Sequence, residues 1–588
     1  MLVTRGLALL RSAGLRRSNT WVVPGGHSRH LGSDLARAAA RTTEVVSLSA
    51  WRDDAWDELG AEWVGVLPGT DTAVILALIH VLVVEGLADD EFLARCAVGA
   101  DVVRAHVLGR DGGTPKTPEW AERISRAPAP VIRDLARRMA RGRTLVNVAY
   151  AVQRGERGEQ AVFAALTLAA FLGQIGSPGG GFAHGFGSMG DYGVGVAGPP
   201  LPTFPQGSNP VPDFIPCARI SDLLLDPGAT IPYDGGVVRF PDTRLVYWAG
   251  GNPFHHHQDL KRLRRAMSTV DTLVVNETHW TATARHADVV LPAASSLERD
   301  DLAAGAGDRR LRAVRRVLEP VGQAREEFWI YARLAERLGA GEAFTEGLDS
   351  RGWLERIYER WRAAPGSPPA PPFDRFWRDG GVDLPAEPYR DAVFTDFRAD
   401  PERFPLDTPS GKLELFSAAI AGFALPDVAG HAVWRAMSPV AAEFDLRLLC
   451  NQPTHRLHSQ LDAGAASRST KIAGREPVRL NPADARARGL RAGDVALVRS
   501  PQGSLLAGVA LDDGLLPGVA RMHTGAWYDP SAPHVADCVA GNVNVLTRDA
   551  PTSTLTQATS GAHVLVAITR HDGELPPVRA HEPPPSLG

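Results

Sequence analysis

Cysteine, lysine and long apolar runs are what this sequence has least of. Four cysteines stand among 588 residues: Cys96, Cys217, Cys450 and Cys538. They lie far apart, with no CxxC pair, which excludes a disulfide scaffold and leaves no iron–sulfur or structural zinc spacing. The usual compartment rule makes them buried free thiols in a reducing environment. Only four of the 63 basic residues are lysine (Lys116, Lys261, Lys412 and Lys471). Arginine- and alanine-rich composition of this kind reflects GC-rich coding rather than function. The formal net charge of −4 lacks the basic excess of a dedicated nucleic-acid binder. The longest apolar runs, Ala73–Val84 and Ala161–Leu172, fall short of the ~20 residues that cross a bilayer. Each is apolar nearly all round and predicts a helix buried inside an α/β domain. GxSxG, Walker A, HExxH and EF-hand patterns are missing, and Gly26–His30 is only a near miss to the hydrolase elbow.

What is present is glycine and proline, 59 and 45 residues, which suits many long shaped loops. The chain is 44% apolar and 22% charged, ordinary for a globular protein. Its length suits three or four domains. The start is basic, with no acid before Asp34. Arg16-Arg17 is not followed by an apolar stretch of signal length, so residues 1–18 are expected to be a ragged beginning and the default compartment is cytoplasmic. Thr20–Val23, Leu35–Ala40 and Glu44–Leu48 read as strand, helix and strand, the unit of a parallel sheet. Asp71 is placed to cap the helix Thr72–Val84. Helices follow at Asp90–Val98, Ala129–Arg141 and Glu159–Leu172. Gly173–Asn209 is a long Gly/Pro-rich loop system, and long ordered loops are usually functional.

A second α/β unit begins at Thr243, with strands Leu245–Trp248, Thr272–Val275 and Asp288–Leu291 and a helix at Asp259–Ala266. From about Asp445 short β runs separated by Gly and Pro turns predict an all-β, barrel-like domain. The expected division is 1–18 ragged, 19–235 and 236–440 α/β, 441–575 β barrel, and 576–588 a disordered tail. The fold class is α/β with two doubly wound parallel-sheet domains and a β cap.

Gly185–Gly190 matches GxGxxG, but it neither follows a strand nor opens a helix, so it is a weak dinucleotide signal. The run Trp248–Asp259 (WAGGNPFHHHQD) is more specific. A strand ends in two glycines, so backbone can approach a ligand closely. Gly251, Asn252, Pro253, His255, His256 and His257 then crowd the carboxyl end of the sheet, where α/β folds bind ligands. The bland reading is polar residues starting a helix; the sharp one is a phosphate or pterin site. Asn276, Glu277 and Thr278 follow the next strand, and His286 and Asp288 precede another. Singly they are turn or cap residues; together, on one sheet edge, they suggest a nucleotide-like ligand. In the β domain, Thr454–Gln460, Gly525–Asp529 and Asn542–Thr547 are polar and aromatic clusters. Their Asn and Gln amides fit guanine edges, and Trp527 offers stacking area, unless they are ordinary loop residues.

These blocks, with EWVGVLPGTDTAV from Glu62, VQRGERGEQ from Val152, LAAFLGQIGSPGGGF from Leu168, ARHADVVLPAASSLERDDL from Ala284, TPSGKLELFS from Thr408 and HRLHSQLD from His455, resemble the molybdopterin oxidoreductases of the dimethyl sulfoxide reductase superfamily. The branch is that of biotin sulfoxide and trimethylamine N-oxide reductases. The resemblance runs from about residue 44 to 570. It implies a double-psi type barrel as the cap. It also implies bis-molybdopterin guanine dinucleotide with molybdenum as cofactor, and reduction of S-oxides or N-oxides by oxygen-atom transfer. One dinucleotide is implied for the Gly251–His257 block with Asn276–Thr278, His286 and Asp288; Thr70 and Asp71 would help hold the other. His455, Arg456, His458, Ser459, Gln460, Asn542 and Asn544 would contact pterins and a guanine. Gln153 and Arg154 match residues near the substrate, and Gly179–Gly190 matches the funnel loop. Implied partners are the oxide, an electron donor and, as a candidate, a separate N-terminal fragment; nucleic acid and a membrane span are not expected.

The sequence departs from this family in three places. The branch carries its metal-binding Ser in an N-terminal quarter that has no match here, so no molybdenum ligand is assigned. Ser49 and Ala50 stand where relatives place Asp-Pro to read a guanosine, and Tyr150 stands where they place Trp. The alternative function is therefore a non-catalytic molybdopterin-binding homologue that has lost the metal-ligand region.

Overall fold

The computed structural model describes residues 6–11, 43–54, 60–185, 199–211, 214–304, 309–386 and 393–584. The first sheet is built from β1 (Gly6–Arg11), β2 (Thr43–Ser49), β3 (Glu62–Gly65), β4 (Arg143–Val148) and β5 (Gly181–His184). Its order is β3-β2-β1-β4-β5, and every pairing is parallel. A parallel sheet needs helices on its faces, which explains the unbroken apolar runs. Helices α1 (Asp71–Val84), α2 (Ala100–Leu108), α3 (Ala129–Arg141) and α4 (Glu159–Phe171) supply them. Helix α1 packs against both α3 and α4, and is buried along nearly its whole length.

Two sequence expectations change here. Gly6–Arg11, inside the stretch expected to be ragged, is the central strand of this sheet. Its Leu7-Ala8-Leu9-Leu10 core is the short apolar run that a central parallel strand requires, and flanking arginines hid it. Asp71 is the first residue of α1 rather than its cap; Thr70 holds the cap position and its hydroxyl donates to the Leu67 carbonyl at 2.7 Å instead of accepting from the helix. The expected elements at Thr20–Val23 and Leu35–Ala40 lie outside the described residues.

The second sheet contains β6 (Leu245–Ala249), β7 (Thr272–Glu277) and β8 (Val289–Pro292), parallel, in the order β8-β7-β6. Helices α5 (Pro253–His256), α6 (Leu260–Met267) and α7 (Ala282–His286) connect its strands. The C-terminal strands are β9 (Leu446–Asn451), β10 (Pro477–Leu480), β11 (Val495–Arg499), β12 (Ser504–Leu511), β13 (Val519–His523) and β14 (His563–Arg570). They close into a six-stranded barrel, β9-β13-β10-β12-β11-β14. Closure removes the sheet edges. The short apolar runs Leu446–Cys450, Pro477–Leu480, Asp494–Arg499, Leu505–Leu511 and Gly518–His523 predict β9 to β13 from sequence alone, whereas β14 is not predicted.

Packing cuts across the chain order. Leu260, Leu263 and Leu273 of the second sheet share one buried cluster with Leu448, Val478 and Met522 of the barrel. Phe397, Leu413, Leu415 and Ala432, which precede the barrel in sequence, are buried in the first sheet's core instead. A third cluster gathers Leu311, Trp353, Tyr358, Phe373 and Phe376. The tail is a further correction. Instead of being disordered from 576, it lies along the barrel to residue 584, with Ala580 buried in the shared core and His581 Nε2 3.0 Å from Asp462 Oδ2. Cys96 and Cys538 are buried as expected, but Cys217 is exposed.

Candidate functional site

Loops from the two parallel sheets described above and from the barrel itself meet at one end of the barrel. From the first sheet, β3 leads through Gly69, at φ +75°, into α1. Strand β4 leads into a single-turn helix, Tyr150–Arg154, whose Tyr150 ring packs edge-on to His184 at 4.6 Å. Gln153 and Arg154 stand exposed there. The barrel ties this turn down: Arg154 Nη1 donates to Thr559 Oγ1 at 2.6 Å, and the Arg154 carbonyl accepts from the Ala562 N–H at 3.1 Å.

From the second sheet, β6 ends in Gly250 and Gly251, at φ +71° and +74°. Two successive left-handed residues are readily adopted only by glycine. A Cβ on Gly251 would lie 3.3 Å from His256 Nε2. The turn brings the Asn252 N–H onto His256 Nε2 at 3.0 Å, which makes that nitrogen the acceptor. Asn252 Oδ1 accepts from the buried Thr283 hydroxyl. Pro253 opens α5 at its first position, where its missing N–H costs nothing. The Phe254, His286 and Tyr528 rings form a near-parallel cluster, Phe254 lying 4.3 Å (17°) from His286 and 6.0 Å (15°) from Tyr528, with His286 and Tyr528 6.3 Å apart.

The barrel supplies the third wall. His455–Gln460 follows β9, and Trp527 follows β13, which runs parallel to β9. Trp527 stacks on His255 at 5.5 Å and donates Nε1–H to the Ser459 carbonyl at 2.9 Å. Asn542 is fully buried, donates Nδ2–H to the Phe254 carbonyl at 2.9 Å and accepts the Asn544 N–H at 2.9 Å. His458 adopts φ +50°, and its carbonyl passes so close to Gly525 that any Cβ there would collide at 1.9 Å.

Charge in this region is simple. Burial pushes His255 down to about 3, with the nearby Asp462 charge opposing it only in part. His256 and His257 are each pushed down to about 4, first by burial; Arg154 adds to both, and His257 adds to His256. Burial and Arg154 also lower His458. The Arg154 guanidinium is therefore felt by histidines of the second sheet and of the barrel. Arg154 is thus a cation set among imidazoles that burial keeps neutral at neutral pH.

His563, which sequence reasoning missed, opens β14 at this same end. A Cβ on Gly69 would lie 2.8 Å from its Nε2, and one on Gly155 would lie 2.8 Å from its Cε1. It is thus wedged between the turns carrying Thr70-Asp71 and Gln153-Arg154. Burial pushes it down to about 4. Only recognition of the sixth barrel strand could have pointed to it.

Not every expected residue joins the site. Asn276 is occupied by two tyrosines: its Oδ1 accepts from Tyr247 at 2.9 Å and its Nδ2 donates to Tyr331 at 3.0 Å. Glu277 turns back on its own loop, accepting from the Thr278 N–H and the Thr281 hydroxyl. Asp288 corrects the single-edge expectation. It precedes β8 and accepts from the Leu273 N–H at 2.8 Å, so it marks the amino edge of a parallel sheet whose carboxyl edge carries Asn276–Thr278. Arg456 lies in a buried ion cluster with Asp462, Lys471 and Glu476. Its Nη1 also donates to His455 Nε2 at 2.8 Å, so both residues brace the loop from behind. Gln460 is exposed. The funnel segment beyond residue 185 lies outside the described residues.

The Ser49-Ala50 departure has a structural counterpart. Ala50, Trp51, Leu67, Leu515 and Val519 form an apolar plug over the end of β2. Ser49 Oγ donates to Asp54 Oδ2 at 2.7 Å beneath it.

The chemistry of the donor set can be tested against a bound dinucleotide. Buried polar atoms are normally hydrogen-bonded. Yet His255 Nδ1 and Nε2, Asn544 Nδ2 and His563 Nε2 are buried without a hydrogen-bond partner among the described residues. Such atoms, with the Gly250-Gly251 cradle and the Arg154 guanidinium, fit a polar heterocycle carrying phosphates.

Residues 29–337 match the family model Molybdopterin oxidoreductase, and 446–565 match the Molydopterin dinucleotide binding domain. The chain is 41% identical to biotin sulfoxide reductase of Cereibacter sphaeroides over 556 residues, covering 93% of this chain and 74% of that protein. It is 39% identical to trimethylamine-N-oxide reductase 1 of Escherichia coli over 566 residues, covering 92% of this chain and 67% of that protein. Among solved structures, acetylene hydratase from Pelobacter acetylenicus shares the fold, with TM-score 0.67 and 17% identity over 96% of this chain and 77% of that one. The cofactor that goes with these matches is molybdenum with molybdopterin guanine dinucleotide. A glycine cradle, a guanidinium among neutral histidines and a capping barrel, in a chain matched along both its α/β and β parts, place this protein in the molybdopterin oxidoreductase family.

Proposed function

We propose that the chain is an oxygen-atom-transfer reductase of S-oxides or N-oxides. The observation that carries this is the convergence of Arg154, the Gly250–His257 turn and the His455–Gln460 loop at one end of the barrel, with buried nitrogens left for a ligand. Gly251–His257, with Asn542 and Asn544 behind it, would hold one dinucleotide. Thr70, Asp71 and His563 would line the turn side. When bound, the molybdenum group supplies the two-electron chemistry that takes the oxygen of an oxide to water, with two protons and two electrons from an external donor. The chain's own residues do the rest. The neutral imidazoles bind without adding charge. Trp527 and Phe254 exclude water by stacking. Arg154 would polarise the oxide oxygen, and Gln153 beside it would orient the oxide. A donor of this kind is worth roughly 100-fold in rate.

The test is reduction of biotin sulfoxide or trimethylamine N-oxide by a reduced viologen dye, on protein from a host able to make the cofactor. Arg154→Ala is expected to lower kcat by roughly 100-fold at unchanged molybdenum content. An Arg154→Ala variant as active as the parent would overturn the role. A second reading rests on the apolar plug over β2, where relatives place a nucleotide contact: a cofactor-binding homologue without turnover. Bound molybdenum with no oxide reduction would favour it.

A further inference from the structure

A second cluster of histidines lies outside the loops described above. Helix α2 ends at Leu108, and His106 sits in its last turn, where unpaired carbonyls favour a cation. Gly109, at φ +72°, reverses the chain and brings Asp111 back, so that Asp111 Oδ2 lies 2.7 Å from His106 Nδ1. The other carboxylate oxygen accepts the Gly113 N–H at 3.1 Å, which fixes its orientation. His431, on the segment that returns to the first core before the barrel, meets His106 with ring centroids 4.7 Å apart and nearly perpendicular. His106 is 6% exposed, and its Nε2 has no hydrogen-bond partner among the described residues; neither has either nitrogen of His431. Three buried imidazole nitrogens in one place are thus left open among the described residues.

We propose that His106, Asp111 and His431 form a binding site for a divalent transition metal of the zinc class. One ligand atom from each lies within 4.8 Å of the others. Tetrahedral zinc sets its ligands about 3.4 Å apart, so modest side-chain rotations close the set. Two imidazoles and a carboxylate are borderline donors, suited to zinc or cobalt rather than calcium or magnesium. The fourth position falls to water. Burial lowers both histidines, which keeps them neutral and ready to ligate. Lys116 opposes the site: its charge acts on both rings, although its Nζ donates to the Thr114 carbonyl at 2.5 Å and lies over the Trp120 ring.

The test is titration of the full, chelator-treated chain with Co2+, read by visible absorption, followed by displacement with Zn2+. One Co2+ per chain is expected. Affinity should fall at least tenfold in both His431→Ala and Asp111→Asn, and rise in Lys116→Met. Absence of uptake, or uptake unchanged in His431→Ala, would overturn the site, the latter moving the ion to other histidines such as His255–His257. Should His431→Ala fail to fold by circular dichroism, Asp111→Asn with parental affinity overturns it equally.

Discussion

Asn542 couples the two halves of the candidate site through a single amide. Its Nδ2–H reaches the Phe254 carbonyl across the boundary between barrel and second sheet, and its Oδ1 holds the Asn544 N–H. Asn542→Ala leaves two buried groups unsatisfied and is expected to cost about 1–3 kcal/mol per group, read by urea unfolding. A cost within about 0.5 kcal/mol of zero would mean that the contact is incidental. The buried histidines make a second prediction. His255, His256, His257 and His563 all have folded values below the usual histidine range, so the unfolded chain binds more protons once pH falls below about 6.5. Stability is full above that pH and drains away as pH falls toward 4. Asp462 behaves differently: burial alone would raise it, but His581, Lys471 and Arg456 outweigh burial and hold it well below the carboxylate range, so its share is lost only in stronger acid. The melting temperature is expected to fall between pH 7 and pH 5; a flat profile contradicts this. Residues were legible where spacing carried them. Gly250–His257 announced itself by two glycines at a strand end. His563 did not, because what makes it notable is Gly69 and Gly155, distant in sequence.

At the scale of elements, strand positions were largely readable, since apolar runs bounded by Gly and Pro need no partner to be recognised. Direction and edge were not. Asn276–Thr278 and Asp288 read alike as polar residues flanking strands, yet one follows β7 and the other precedes β8. In a parallel sheet that difference puts them at opposite edges. Arg456 failed similarly: a motif shows that it matters, but not that its guanidinium turns inward onto Asp462 and Glu476. One turn is expected to be intolerant. Gly525, at φ +86°, lies against the His458 carbonyl. Gly525→Ala should cost at least about 1–2 kcal/mol from backbone strain alone. It should also raise amide exchange across His455–Gln460, while exchange in β1–β5 stays as in the parent. Parental exchange in that loop would show that the close approach is not needed.

Over the whole molecule, the barrel is not a detachable cap. It shares a core with the second sheet, and its tail packs back on it. Its loops also pin Arg154 of the first sheet. Composition and short-range pattern could not reveal this, because the contacts join residues hundreds of positions apart. The apolar plug over β2 is the same kind of fact: Ser49-Ala50 was visible as a departure, whereas the covering by Leu515 and Val519 was not. Among the described residues no helix is long and apolar enough to cross a membrane. The chain spans 67–74% of the length of the relatives compared above. The central claim is that the three converging loops hold the molybdenum cofactor. The most direct measurement is elemental molybdenum together with pterin fluorescence, on the 588-residue chain purified from a host that makes the cofactor. The account predicts near-stoichiometric molybdenum with pterin, lost together when Gly251 is changed to Val. Protein that is folded by circular dichroism yet carries neither molybdenum nor pterin would contradict it.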